Sequence, residues 1–177
     1  MAGTENTNHL IIVSGPIGAG KSTLAQQLIV SAPAPAIYIE GDTFWPHIVK
    51  GGEEGIHKPL RAVMRAMIAA AVAYAASGYE TILDFTIPPW YLEGVHKIAG
   101  SREITIDYVV LMPDEAICAE RAKTREKGKI EDYSKLHEFY ESFAKAPTQI
   151  INDMRDAATI ATQIRQGLAE GKFRIKN

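Results

Sequence analysis

Apolar residues fall along the chain in short, evenly spaced runs, separated by longer stretches in which they recur every three or four positions. His9–Ser14 and Ala36–Glu40 are the first two runs, followed by 81–85, 104–111 and a weaker fifth at 149–153. The runs are unbroken rather than alternating, as expected of strands covered on both faces. Helical patterns occupy 21–31, 58–77, 89–99, 114–127, 135–146 and 159–170. Strands that alternate with helices predict an α/β domain with a parallel sheet between two helical layers. Ser77-Gly78 and Ala99-Gly100-Ser101 stop two helices, and Pro33 and Pro35 part the first helix from the second strand.

Two stretches break the rhythm. Residues 41–55 are Gly-rich and mix aromatics with charges, which marks a functional loop. Residues 127–134 (KGKIEDYS) are polar and aperiodic, so a mobile lid segment is expected over about 127–135. Residues 1–8 read as a flexible tail, and 1–177 as a single domain without repeats or a long linker.

Composition narrows the function. The 177 residues are 46% hydrophobic and 23% charged, within the globular range. A net charge of −2 offers no basic field for duplex nucleic acid, so nucleic acid is not an expected partner. The single Cys118 rules out an intramolecular disulfide and a multi-cysteine metal site, and points to a reducing compartment. The longest apolar stretch, 67–76, is far short of the ~20 residues that span a bilayer. No signal segment is legible at the start. The expectation is a soluble cytoplasmic protein with no membrane contact.

The strongest motif is Gly15-Pro16-Ile17-Gly18-Ala19-Gly20-Lys21-Ser22, followed by Thr23. It matches G-x-x-x-x-G-K-[ST] and sits between a predicted strand and a predicted helix, the context that gives the pattern meaning. The residue frequencies give a chance match of about 0.7%, so coincidence is a poor account of it. Glycines let backbone N–H groups close around phosphate oxygens, and the helix N-terminus adds its dipole. Lys21 reaches the outer phosphates, and the Ser22 hydroxyl is a ligand for Mg²⁺. A GTPase calls for Asn-Lys-x-Asp, which the sequence lacks, and a large motor or AAA-type ATPase needs a longer chain.

Three further sites favour a small kinase. Asp42, in Glu40-Gly41-Asp42-Thr43-Phe44-Trp45, follows the second strand, where ligands of parallel sheets bind. It is placed to orient or deprotonate an accepting hydroxyl. Phe44 and Trp45 either wall an acceptor pocket or anchor the loop. Asp84 ends the run Thr81-Ile82-Leu83-Asp84, in the manner of a Walker-B strand, and is a candidate for Mg²⁺ or for the acceptor. The Pro88-Pro89-Trp90 segment reads first as a stiff turn, with shaping of the acceptor site as the alternative. Arg121 and Arg125 are four apart, so they share one helical face leading into the lid segment. There they would meet the charge that spreads over the transferred phosphoryl group.

These features together resemble the small P-loop kinase family that includes shikimate kinase, gluconate kinase and chloramphenicol phosphotransferase. The nearest likeness is to the chloramphenicol phosphotransferase-like branch, through GPIGAGKST, EGDTFW and the Ala-rich helix that leads into TILDFT. The resemblance implies a three-layer fold with a five-stranded parallel sheet in order 2-3-1-4-5 and a small lid. It also implies Asp42 as the catalytic carboxylate, and an adenine bordered by 152–155. Shikimate kinases carry a Gly-Gly pair and arginines for their acceptor, whereas this chain has Asp84-Phe85-Thr86-Ile87-Pro88-Pro89. Gly51-Gly52 lies elsewhere. Trp45, His47, Lys50, Glu53, Glu54 and His57 suit a neutral or polyhydroxylated acceptor better than a dianion.

His9, His47, His57, His96 and His137 lack metal-ligand spacing and read mostly as surface or loop residues. The Ala-rich stretch within 62–76 is a core helix or a dimer face, and the pattern leaves both open. The expected activity is transfer of a γ-phosphate from ATP, with Mg²⁺, to a hydroxyl of a small molecule. The alternatives are a nucleoside, nucleotide or polynucleotide 5′-hydroxyl kinase, and a nucleotide-dependent binding module with slow ATPase activity.

Overall fold

The computed structural model describes residues 8–33, 35–50, 57–126, 128–151 and 155–176. The chain runs β1 (His9–Ser14), α1 (Lys21–Val30), β2 (Ala36–Glu40), α2 (His57–Ala76), β3 (Glu80–Asp84), α3 (Leu92–Ala99), β4 (Thr105–Leu111), α4 (Glu115–Lys123), α5 (His137–Ser142), β5 (Ile150–Ile151) and α6 (Ala157–Ala169). Short 3₁₀ turns cover Gly41–His47, Pro89–Tyr91, Tyr133–Leu136 and Phe143–Lys145. All sheet pairings are parallel, in the order β2-β3-β1-β4-β5. This is the α/β P-loop architecture that the resemblance implies.

The central strand shows why its apolar run is unbroken. Leu10 and Ile12 face a core built with α2 and α3, while Ile11 and Val13 face one built with α1, α4 and α6. All four are fully buried, each worth roughly 1.5–3 kcal/mol of transfer free energy. The centre of the sheet is thereby the least deformable part of the molecule, and it carries the phosphate loop.

Three expectations about elements change. The helix predicted to reach residue 127 ends at Lys123: Thr124 still donates its N–H to the Glu120 carbonyl, but its backbone has left helical geometry at φ −95° and ψ 0°. Arg125 is therefore beyond the helix rather than on its face. The helix predicted over 135–146 is broken into a 3₁₀ turn, α5 and a second 3₁₀ turn. The exclusion of a membrane-length segment was too strong: Pro59–Ala76 has mean hydropathy 1.3 and is long enough to cross a bilayer. Packing decides its role here, for Val63, Met64, Met67, Ile68, Ala71 and Ala75 are buried on the sheet.

One element went unforeseen. After α6 the chain returns along β4: Tyr108 N–H donates to Phe173 O, and Ile175 N–H donates to Ile106 O. An antiparallel bridge joins Asp107 and Arg174. The Phe173/Ile175 alternation was the only signal, and three residues are too few to read as a strand.

Candidate active site

The phosphate loop is held in shape by two backbone approaches that tolerate no side chain. Gly15 has φ 137°, and a Cβ there would lie 2.0 Å from the Leu111 carbonyl oxygen; Gly18 has φ 86°, and a Cβ would lie 2.2 Å from that of Cys118. The loop thus rests on the end of β4 and on the middle of α4. Gly20 opens α1 with no side-chain cap, so the first N–H groups of the helix are free to meet an anion. Ile17, Gly18, Gly20, Lys21, Ser22 and Thr23 line a cleft of about 480 Å³. Gly15 and Ala19 are buried beneath it, and Pro16 contributes a carbonyl to which Lys21 Nζ donates at 3.0 Å.

Lys21 is the most perturbed cation described. Burial pushes its ammonium pKa down to about 8, against the pull of Asp84 and Asp42, and Arg125 lowers it further. Asp84 ends β3 opposite Val13 and Glu40 and is buried; Tyr38 Oη donates to its Oδ2 at 3.1 Å. Burial first, and then Asp84, raises the Tyr38 phenol well above its usual pKa. Tyr38 was missed by sequence reading. The available signal was its spacing: two residues before Glu40 on a strand, it shares that face.

Asp42 lies exposed on the first turn of the 3₁₀ segment after β2 and lines the cleft. Gly41 brings this segment against Phe85, whose ring would be 2.6 Å from a Cβ at that position. Trp45 lines the cleft. Phe44 does not: it packs against the core, so of the two expected wall residues one anchors the loop instead. Arg121 and Arg125 both line the cleft, and Arg121 Nη1 is 3.6 Å from where a Gly20 Cβ would be. Their convergence comes from the turn after α4, not from a shared helical face.

Two anchors fix the surroundings. Ser14 Oγ both donates to Ile87 O (2.7 Å) and accepts from Ile87 N–H (2.9 Å), and Tyr108 Oη donates to the same carbonyl at 2.6 Å. These bonds set the path of the segment that brings Thr86, Pro88 and Trp90 to the cleft. Tyr133 Oη donates to Ile17 O at 2.8 Å, tying the segment expected to be mobile to the phosphate loop. Ser22 and Asp84 offer a hydroxyl and a carboxylate on one cleft, the hard oxygen set of a Mg²⁺ that keeps several waters. No cluster of three His, Cys, Asp or Glu suited to a metal occurs among the described residues.

His47 and Lys50 do not line the cleft; Gly51, Gly52, Glu53, Glu54, Lys127 and 152–154 lie outside the described residues, as does the His57 side chain. His137 is exposed, as expected, and meets Glu115, while His9 is half-buried on β1 and meets Asp107.

A family model described as AAA domain matches residues 10–159. The sequence reading set an AAA-type ATPase aside on length, and the family model nevertheless carries that name. No curated protein sequence matches. The fold recurs in a gluconokinase from Sinorhizobium meliloti 1021, at 21% identity and TM-score 0.66, with 95% of each chain covered. It recurs in a sugar kinase from Janibacter sp. HTCC2649, at 17% identity and TM-score 0.69, covering 92% of this chain and 95% of that one. A tunicamycin resistance protein of Deinococcus radiodurans gives 15% identity and TM-score 0.70, covering 95% and 98%.

Proposed function

The chain belongs to the AAA-domain family, and on that premise we propose that it is an ATP-dependent kinase that phosphorylates a hydroxyl of a small molecule. The observation that carries the reading is one cleft lined by a glycine loop with Lys21 and by two carboxylates, Asp42 and Asp84. Backbone N–H groups of Gly18, Gly20, Lys21 and Ser22 would hold the β- and γ-phosphates, and Lys21 supplies positive charge to them. Ser22 and Asp84 would hold Mg²⁺, which screens charge on the phosphate oxygens. Asp42 orients the acceptor hydroxyl and takes its proton. As that oxygen bonds to the γ-phosphorus, the bond to the bridging oxygen breaks and ADP leaves. Arg121 and Arg125 meet the charge that builds on the transferred group, and the segment over 127–135 closes over it as a lid.

The motifs around Gly15 and Asp42 favour the chloramphenicol phosphotransferase-like branch of small kinases. The lone thiol, Cys118, is buried and fits a reducing cytoplasm. The test is ADP release and phosphorus NMR of products across hydroxylated metabolites, nucleosides and antibiotics. The expected result is little ATP consumption alone and strong stimulation by one small molecule. Stimulation by a protein instead, with no phosphorylated product, sinks the reading.

A further inference from the structure

Asp84 is bonded unlike the other buried carboxylates of the sheet. Among the described residues these are Glu80 and Asp107, and each receives an arginine: Arg165 donates to Glu80 and Arg174 to Asp107. Asp84 is buried as deeply as Glu80, yet Lys21 beside it donates to the Pro16 carbonyl instead. The one donor to its side chain among the described residues is the neutral hydroxyl of Tyr38. The register explains the reach. Tyr38 pairs with Ile82 and Glu40 with Asp84, so Tyr38 stands two residues short of Asp84 on the neighbouring strand and shares its face. A tyrosine is long enough to cover that diagonal step. Its ring is half-buried against the core built with α1, α4 and α6, and it does not line the cleft, whereas Asp84 does. Packing alone would be served equally by phenylalanine, and a hydroxyl brought to such a place is unfavourable unless it is bonded. Because the phenol is neutral, Asp84 keeps its full negative charge, which an arginine would have offset.

Resting on the kinase reading above, in which Ser22 and Asp84 hold Mg²⁺, we propose that Tyr38 is a positioning residue for the metal. Its hydroxyl holds Asp84 Oδ2 at 3.1 Å, stops the carboxylate turning about its last torsion and reserves Oδ1 for the cleft. The ligand is thereby oriented before the metal arrives, which strengthens the joint binding of Mg²⁺ and nucleotide. Tyr38 acts only through Asp84.

Metal binding can be separated from nucleotide binding. Affinity for a non-hydrolysable ATP analogue is measured by calorimetry in EDTA and again in Mg²⁺, for the native chain, Tyr38→Phe, Asp84→Asn and the double variant. Tyr38→Phe should bind the analogue in EDTA as the native chain does, while the tightening produced by Mg²⁺ falls about tenfold. Adding Tyr38→Phe to Asp84→Asn should change nothing further, because no charged ligand is left to position. An unchanged tightening by Mg²⁺ in Tyr38→Phe overturns the proposal, and so do losses that add in the double variant. An equal loss with and without the metal overturns it too, and makes the phenol a purely structural group. Failure of the kinase reading shows separately, as a native chain that binds no nucleotide or yields no phosphorylated product.

Discussion

The two ends of the sheet carry the same kinds of charged group and use them in opposite ways. Where the strands begin, Glu80 and Asp107 are buried and the chain supplies their partners. Arg165 Nη1 donates to Glu80 Oε2 at 2.8 Å; His9 Nε2 lies 2.6 Å from Asp107 Oδ2, and Arg174 Nε donates to Asp107 Oδ1 at 3.3 Å. One oxygen, Glu80 Oε1, has no hydrogen-bond partner. Where the strands finish, Lys21, Asp42, Asp84, Arg121 and Arg125 surround open space, and Lys21 has a carbonyl for company. A charge whose partner comes from the chain holds the fold together. One whose partner must arrive from outside raises the energy of the empty protein and is available for binding.

The strongest test of this contrast is Lys21→Ala. Turnover should fall about a thousandfold or more, with no loss of thermal stability, because a desolvated cation is removed. Assays of ADP release and thermal unfolding on the same preparation decide it, and a marked fall in Tm would make Lys21 structural. Asp42→Asn comes next. It should lower transfer about a hundredfold while sparing nucleotide affinity and Tm. Unchanged transfer would remove Asp42 from the mechanism.

Asp107→Ala probes the opposite end. It should cost roughly 2 kcal/mol, less than a fully buried pair, because Arg174 and His9 retain access to water. Denaturant unfolding measures the loss, and nucleotide affinity should stay as it was. A loss of nucleotide binding at native stability would erase the division between the two ends.

The smallest effect is a proton. Lys21 titrates near 8 in the empty protein against 10.5 when unperturbed, so the unfolded chain holds the proton more tightly. Its burial penalty is full below pH 8 and fades as pH rises toward 10.5. Bound phosphates favour the charged amine and raise its pKa again. Nucleotide binding near pH 8 should therefore take up about half a proton, seen as a heat of binding that varies with buffer. The uptake should vanish in Lys21→Met, and a proton release in the native chain would contradict the buried-cation picture.

The glycine loop was legible because its chemistry is local. Gly15, Gly18 and Gly20 are needed for backbone conformation, and Lys21 and Ser22 follow at fixed spacing on a helix. The strands were legible too, since β1 and β4 are covered on both faces and so carry the unbroken apolar runs Leu10–Val13 and Tyr108–Leu111. The Cα register, the end of α4 and the return of Phe173–Ile175 along β4 were not, because a three-residue pairing leaves no period to detect.

What the sequence determined alone was the phosphate end of the cleft, together with the strand and helix alternation that places it. What only the tertiary structure decided was the other end. Tyr38 reaching Asp84, Tyr133 reaching Ile17, Phe44 turning into the core and Trp90 turning toward the cleft are contacts between distant segments. An aromatic residue has the same sequence signature whether it fills a core or lines a pocket. The difference lies in which neighbours the packed layers leave beside it, and that is settled only when the layers close.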